Sequence, residues 1–570
     1  MKKSFLIDNQ KSKESNYILG LCYSHDASVC LLKDGVPVVA IQKERLSRKK
    51  HDGSITDIDL KECVEYCLAA EGITLNDIDL VVENSPTILY CKDKDNILGF
   101  QRNRFLDNFD QKKIIQISHH LAHAYAAFGM SPYREAAVLV VDGQGNYKED
   151  ITENLEGAEV YPANSESSYI ERESFYCFQD NKYRAIRKNL STIHKSFLKI
   201  CGLGHLYESV ASYVFRSRFD AGKLMGLAAY GEDRLTFKMV EASTSLELKY
   251  NSQWVKKFSK PNRHPGDFEL NQNEYKNLAY RVQKELEQYL VLLTKWFRKK
   301  VRSDNLCYSG GVALNCSANQ EIAEKSGFKN LFISPPANDG GVSVGCAYYG
   351  YLNVFKKPKK IFDYLDYLGK PYEDREILKV LKKYSGRINY RRSQNISLGT
   401  AKLLKENKIV AWFQGGSEFG PRALGNRSII CNPCGKKTKD ILNLNIKFRE
   451  SFRPFAPSVL EEKSRDFFTI GYSPYMLLTA KVRNEKVKLI PAVTHVDQTA
   501  RIQTVNPKQN KKYYRLIKNF EKISGMPLIL NTSFNTKGEP IVETPEDAVK
   551  TFINSKIDYL SIGNFIVAKR

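Results

Sequence analysis

The run Ala136 to Val141, A-A-V-L-V-V, closed by Asp142 and Gly143, constrains this chain more than any other stretch. An unbroken apolar segment of that length, ended by an acid and a glycine, reads as a strand buried on both faces. Such strands belong to α/β folds, whose ligand crevice lies beyond the carboxyl ends of the strands, where Asp142 stands. Upstream, His119-His120-Leu121-Ala122-His123 spaces two imidazoles four residues apart. A helix there puts His119 and His123 on one face, about one turn apart and able to share a metal ion, with His120 rotated away. Asp142 is a third candidate ligand, and Asp339, in the loop P-P-A-N-D-G-G, a fourth. Mixed imidazole and carboxylate ligation suits iron, zinc or manganese better than copper(I), which prefers thiolates.

The opening of the chain is equally patterned. I-L-G-L-C-Y-S-H-D-A-S and then V-C-L-L-K-D-G-V-P-V-V-A-I-Q read as consecutive strands with a hairpin turn at Asp34-Gly35. His25 sits at the first strand-to-turn junction. It is a candidate general base, because a histidine near its ordinary pKa accepts a hydroxyl proton at neutral pH; a satisfied structural histidine is the competing reading. In Q-K-E-R-L-S-R-K-K-H-D, residues 42–52, Lys50 is placed to meet a phosphoryl or carbonyl oxygen, against the alternative of a solvated basic run from Arg48 to Lys50. Three segments read as glycine-rich turns that let backbone approach phosphate: Gly202 to Tyr207, Gly222 to Gly231, and Ser309-Gly310-Gly311-Val312-Ala313-Leu314-Asn315.

The basic, proline-containing segment F-K-K-P-K-K-I-F at 355–362 marks the expected domain boundary, giving units 1–355 and 356–570. The second unit reads as α+β, with V-A-W-F-Q-G-G as an early strand and E-D-A-V-K-T-F-I-N-S as a late helix. It holds a second cluster: Glu418 to Ser428, Asn445 to Pro457, His495-Val496-Asp497, Arg501, and Asn531 to Asn535. Arginine forks match phosphate oxygens bidentately and lysine adds a compact charge, so cations converging among glycines and prolines read as a phosphate pocket. Surface salt bridging explains single arginines but predicts no such punctuation.

In this order, the blocks resemble the carbamoyltransferases of the nodulation-protein and aminoglycoside-antibiotic type, over roughly residues 17 to 569. The resemblance implies a two-lobed actin- or Hsp70-like α/β domain, related to the threonylcarbamoyl-transfer enzymes of tRNA modification, followed by a smaller α+β YrdC-like domain. It implies that His119, His123, Asp142 and Asp339 hold Fe(II) or another divalent metal, and that Lys50, Gly311 and Asn315 lie beside carbamoyl-adenylate. Arg422, Lys447, Arg453, Arg501, Asn531 and Ser533 would bind carbamoyl phosphate and ATP, the latter with Mg. The implied activity is the making of carbamoyl-adenylate and its transfer to a hydroxyl of a small-molecule acceptor, with His25 taking the proton. Family acceptors include aminoglycosides, nodulation factors, β-lactams, macrocycles and alkaloid toxins, and the stretch Asn146 to Asn189 is the expected acceptor lining. This chain departs from the family at Lys43 and Leu46, where a glutamate and a phenylalanine are usual, and at Ala229, where proline is. A threonylcarbamoyl-type tRNA-modifying enzyme is the alternative, since it would share the first domain.

The formal charge of +23 raises nucleic acid as a partner, but the basic residues are spread along all 570 positions, and only part of the excess gathers into the small-anion site. No apolar run approaches the roughly 18 to 20 residues that cross a bilayer. The apolar run in the leader M-K-K-S-F-L-I-D-N-Q is too short for a signal core, so the cytoplasm is the expected location. The 12 cysteines suit reduced thiols; Cys63 and Cys67 share a helix face, and Cys431 with Cys434 form a single C-x-x-C that lacks a second half.

Overall fold

A computed structural model describes residues 15–53, 59–84, 106, 109–163, 165, 168–192, 202–236, 238–242, 246–258, 268 and 271–570; the leader at 1–10 lies outside the described residues. The first sheet is built from β1 (Tyr17–Cys22), β2 (Ser28–Lys33), β3 (Val36–Gln42), β4 (Leu80–Asn84) and β5 (Ile114–Gln116) in the order β3-β2-β1-β4-β5. β1 to β3 are antiparallel, while β4 and β5 run parallel with β1. The β2–β3 turn at Asp34-Gly35 takes φ of 48° and 82°, two positive values that an Asp-Gly pair supplies at little strain.

The second sheet comprises β6 (Glu135–Val141), β7 (Glu159–Tyr161), β8 (Tyr169–Gln179), β9 (Lys182–Thr192), β12 (Asn305–Ser309) and β13 (Asn330–Ile333), ordered β13-β12-β6-β8-β9-β7; a small hairpin, β10 (Val240–Ala242) and β11 (Leu248–Tyr250), lies apart. Within it, β6, β8 and β9 are antiparallel and β12 and β13 run parallel with β6. The strand order and senses of the first sheet are thus repeated, with β7 added at the edge. β6 is central, and Ala136 to Val141 are buried. Half of the stretch Asn146 to Asn189 is strand, made of β7, β8 and most of β9. Two of the expected glycine turns are largely helical, Leu203–Phe215 and Ala221–Ala228. In the first, Leu203, Leu206, Tyr207, Val210, Ala211 and Val214 are buried at helical spacing, and that apolar stripe overrides Gly204.

Helices His119–Met130 and Val342–Tyr349 lie between the two sheets, in a core with Ile18, Val82, Val138 and Tyr176. Close approach depends on two glycines. A Cβ on Gly345 would overlap the Ala122 carbonyl and come within 2.9 Å of the Ala126 nitrogen, and one on Gly20 would overlap the Ser343 carbonyl. The helix that carries the two histidines is therefore clamped against the one that follows Asp339.

The segment that opens the second unit packs against the first. Lys359 is buried and donates to the carbonyls of Ser131 (2.7 Å) and Tyr133 (2.6 Å), and the Leu368 carbonyl accepts from the Ala40 amide at 2.8 Å. The second unit is an eight-stranded mixed sheet of β14 (Ile388–Arg392), β15 (Val410–Phe413), β16 (Arg427–Cys431), β17 (Ala456–Leu460), β20 (Gln503–Val505), β21 (Leu528–Ser533), β22 (Tyr559–Ile562) and β23 (Phe565–Lys569), with β18 (Thr479–Lys481) and β19 (Thr499–Arg501) paired separately. Leu424, Ala456, Tyr475, Met476 and Leu477 from this unit complete an apolar core with Leu224, Leu227, Val312 and Ala313 of the first. Arg45 donates to the Gly420 carbonyl at 2.7 Å, and Arg48 to the carbonyls of Ile541 (2.7 Å) and Pro540 (3.0 Å). Arg48, read above as the start of a basic run, is a fastening between the two units.

Gly345→Ala should destabilise the first unit by about 1–3 kcal/mol or more, because the overlapping atoms are backbone on both sides. Gly222→Ala, whose added Cβ would meet nothing within 4 Å, should be neutral or slightly stabilising. Denaturant unfolding followed by circular dichroism checks the contrast.

Candidate functional site

The histidine helix begins after Ser118, and its first amide, that of His119, donates to the Asn146 side-chain oxygen at 2.5 Å. His119 Nε2 and His123 Nε2 are 3.2 Å apart, and His119 Nε2 lies 3.4 Å from an oxygen of Asp142 and 3.4 Å from one of Asp339. His123 Nε2 is 3.5 Å from Asp339. The four candidate ligand atoms lie within 4.8 Å of one another, and all four residues are buried. The opposite ring nitrogens are held: Nδ1 of His119 pairs with Asn84 Oδ1 at 2.8 Å and Nδ1 of His123 with Ser309 Oγ at 3.2 Å. Outer partners of that kind aim Nε2 inward. His120 turns away and pairs with Ser174 at 2.7 Å.

The electrostatics fit a cation. Burial alone would depress the His119 imidazole, yet the facing carboxylates of Asp339 and Asp142 carry it up to about 10. Burial and mutual repulsion would raise the two carboxyls, but the imidazoles hold both below the usual range. A pocket that draws a proton onto a fully buried imidazole has room in charge for a divalent ion, and its donor set of two nitrogens and two carboxylates suits iron, zinc or manganese.

His25 lies at the edge of this cluster, with Nδ1 3.6 Å from Asp339 and Nε2 3.6 Å from Asp26. Burial lowers its pKa, but Asp339, Asp26 and Asp142 carry it above its ordinary value. The Gly311 amide donates to Asp142 Oδ1 at 2.7 Å, which places that loop beside the cluster. Asn315 is turned inward: its side-chain oxygen caps the helix Cys316–Lys325 through the Ala318 amide and also meets Gln283.

At the other end lies a group of cations. Burial and the nearby Arg449, Arg453 and Lys50 hold Lys447 well below its ordinary value, and its amine bonds to oxygens of Ser533 and Asn535. Burial together with Arg501 and Arg453 lowers Arg422 to about 9. Arg449, inside the Asn445 to Pro457 cluster but not singled out there as a phosphate ligand, is depressed by burial, Arg453 and Arg501, and its guanidinium lies 4.5 Å from the Phe455 ring centre. The reason it was not singled out is local: a π-helical turn at Asn443–Lys447 followed by Phe448 at φ 45° brings 447, 449 and 453 to one side, which no regular period predicts. Glu450 sits against Arg453 (3.8 Å) and Lys223 (3.1 Å), and among the described residues no ion pair is formed by Arg422, Lys447, Arg449 or Arg501. Asn531 serves the framework, donating to Ala423, Ser458 and Gln503.

One cavity of about 3060 Å³ joins the two ends. It is lined by His25, Lys50, Asp142, Gly311, Asn315 and Asp339 from the first unit and by Arg422, Lys447, Arg453, Arg501, Asn531 and Ser533 from the second. His119 and His123 stand behind Asp142 and Asp339. Of the stretch 146–189, Tyr147, Ser168 and Arg172 reach it. Cys63 and Cys67 are buried away from it, as is Cys431, whereas Cys434 is exposed.

Fold and site together define a two-domain α/β protein with a four-residue candidate metal cluster and an anion pocket on one cavity. The carbamoyltransferase N-terminal family profile matches residues 17–87 and 87–348, and the carbamoyltransferase C-terminal profile residues 401–569. The chain belongs to the carbamoyltransferase family. It is 34% identical to an uncharacterized protein of Synechocystis sp. over 97% of each chain. It is 30% identical to the nodulation protein NolNO of Sinorhizobium fredii over 98% of this chain and 81% of that one. Over 60% of this chain and 64% of the other, it is 30% identical to the 3'-hydroxymethylcephem-O-carbamoyltransferase of Streptomyces clavuligerus. Among solved structures, full-length HypF in its phosphate- and nucleotide-bound form aligns with a TM-score of 0.37 at 12% identity, covering 59% of this chain and 55% of that one. Among the described residues no helix is long and apolar enough to cross a membrane.

His119→Ala or His123→Ala should lower the metal that purifies with the protein well below the parent's, since each removes one of about four ligands. His120→Ala should leave it near the parental level. Elemental analysis of the folded variants decides it; equal metal in all of them would remove the assignment.

Proposed function

We propose that this protein is an ATP-dependent O-carbamoyltransferase that makes carbamoyl-adenylate from carbamoyl phosphate and ATP and transfers the carbamoyl group to a hydroxyl of a small-molecule acceptor. The observation that carries the reading is the single cavity with unmet positive charge at one end and a buried carboxylate and imidazole cluster at the other. Residues 356–570 are the adenylate-forming unit and residues 1–355 the transfer unit.

At the cationic end Arg422, Lys447, Arg449, Arg453 and Arg501 receive the phosphates of carbamoyl phosphate and Mg-bound ATP. Their mutual repulsion is relieved by the ligands' negative charge, and that relief contributes to binding. Water first takes up the phosphoryl group of carbamoyl phosphate, releasing phosphate and carbamate; a carbamate oxygen then bonds to the α-phosphorus of ATP as the bond to the β-phosphate oxygen breaks and pyrophosphate leaves. The resulting mixed anhydride is labile in water, so passage inside one cavity protects it. Lys50, exposed on the first unit and close enough to repel Lys447, is placed to meet the adenylate at the second end. There His119, His123, Asp142 and Asp339 would hold Fe(II) or another divalent cation, which when bound supplies a Lewis acid for the carbamoyl oxygen. An imidazole at the mouth of the cluster takes the acceptor's proton, His25 being the one the sequence places first. The acceptor is a small hydroxylated metabolite, a reading supported by the hydroxymethyl substrate in the name of the cephem-modifying relative.

Two measurements test the division. Arg453→Ala should raise the carbamoyl phosphate needed for half-maximal pyrophosphate release by about 10- to 100-fold, the loss of a charge-assisted contact. Arg422→Ala should fail at pyrophosphate release with its metal retained. His119→Ala should still release pyrophosphate from ATP and carbamoyl phosphate while carbamoylating no acceptor. A folded His119→Ala enzyme that releases none would replace the two-ended scheme with one shared site.

A further inference from the structure

His25 borders the metal cluster, and His51 lines the same cavity beside it, with ring centroids 6.0 Å apart. We propose that His51, oriented by Asp26, is the base that takes the proton of the attacking hydroxyl, an assignment that rests on the carbamoyl-transfer reading above. His51 Nδ1 lies 2.9 Å from Asp26 Oδ1, and the other Asp26 oxygen accepts from the Asn338 side-chain amide. Asp26 is buried; burial would raise its carboxyl, but the His51 hydrogen bond and the His25 charge hold it below the ordinary carboxylate range. An ionised carboxylate only accepts, so Nδ1 carries the hydrogen and the lone pair lies on Nε2. Nε2 has no hydrogen-bond partner among the described residues, and the ring lines the cavity with its side chain 27% exposed.

Every other degree of freedom of this ring is fixed. One face stacks on Phe219, with centroids 4.4 Å apart and planes 14° apart. The backbone of His51 takes φ 54°, a left-handed conformation that is uncommon outside glycine and persists where surroundings impose it. The His51 amide donates to Glu44 Oε2 at 3.1 Å, and its carbonyl accepts from Gly53 at 2.9 Å. Gly53 is pressed on the loop that carries His25, where a Cβ would stand 2.7 Å from the His25 Cα. By contrast, each ring nitrogen of His25 stands 3.6 Å from a carboxylate oxygen, one of them on the candidate metal ligand Asp339, and no hydrogen bond as short as that between His51 and Asp26 fixes its tautomer. Asp26, Glu44 and His51 are also near enough to surround a cation, but both Asp26 oxygens and Glu44 Oε2 already accept hydrogen bonds that an ion would have to break.

In the step, the hydroxyl oxygen bonds to the carbamoyl carbon and its proton passes to His51 Nε2. The bond from that carbon to the adenylate oxygen breaks, and its electron pair leaves with AMP. The imidazolium then returns its proton to water, and Asp26, a positioning residue, stays ionised throughout.

The test uses full-length enzyme in excess over ATP, with carbamoyl phosphate and glycerol as the probe hydroxyl, quenched rapidly and read as pyrophosphate, AMP and glyceryl carbamate. His51→Ala should release pyrophosphate at the parental rate but form AMP and carbamate about 10²- to 10⁴-fold more slowly. Added imidazole should restore much of that loss without changing bound metal. Asp26→Asn should be slowed and not restored, because its ring is present but misdirected. Parental rates in His51→Ala, or a loss that imidazole leaves untouched, would overturn the assignment and make His51 a framework residue. A parent enzyme that releases no pyrophosphate would instead remove the adenylate reading, and the dyad with it.

Discussion

Two carboxylates buried against two imidazoles are the constraint around which the rest of this molecule is arranged. Asp142 and Asp339 both approach His119 Nε2 at 3.4 Å and are both buried. Like charges taken out of water at such range are tolerated only where positive charge is supplied among them. Supplying it requires parts from both lobes: Asp142 from the end of β6, the histidines from the helix between the sheets, Asp339 from the turn opening the next helix. Asn84 at the end of β4 and Ser309 at the end of β12 then fix the rings. The glycine contacts between the two central helices serve the same end, since a wider gap would part His123 from Asp339.

The opposite end of the cavity has the complementary fault. Burial and mutual repulsion depress Lys447, Arg449, Arg453 and Arg422, and Glu450 offsets little of that charge. A protein that leaves negative charge unmet at one end and positive charge unmet at the other is least satisfied when empty. Binding at either end therefore starts from a framework already folded into shape, and little ordering remains to oppose it.

What could be read from the sequence follows from how local its causes are. Ala136 to Val141 was legible because a strand buried on both faces leaves an unbroken apolar run, and Asp34-Gly35 because two positive φ values demand such residues. The histidine pair was legible because four residues make one helical turn. Gly202 to Tyr207 misled because glycine marks a turn only when no apolar stripe competes, and here Leu203, Leu206 and Val210 supply one. Arg48 could not be placed, since the carbonyls it meets lie 492 and 493 residues further along. The convergence of Arg449 on its neighbours was hidden by a π-helical turn, and the hydrogen bond that Asn315 accepts was hidden because its partner, Gln283, lies on a distant helix.

The short stretch from Arg45 to Gly53 joins these ends. Arg45 and Arg48 grip carbonyls of the second unit, and three residues later the chain is forced into its left-handed bend at His51. The fastening between the two units and the bend that sets the His51 ring thus lie on one stretch of nine residues, so a change that loosens either is felt at the other.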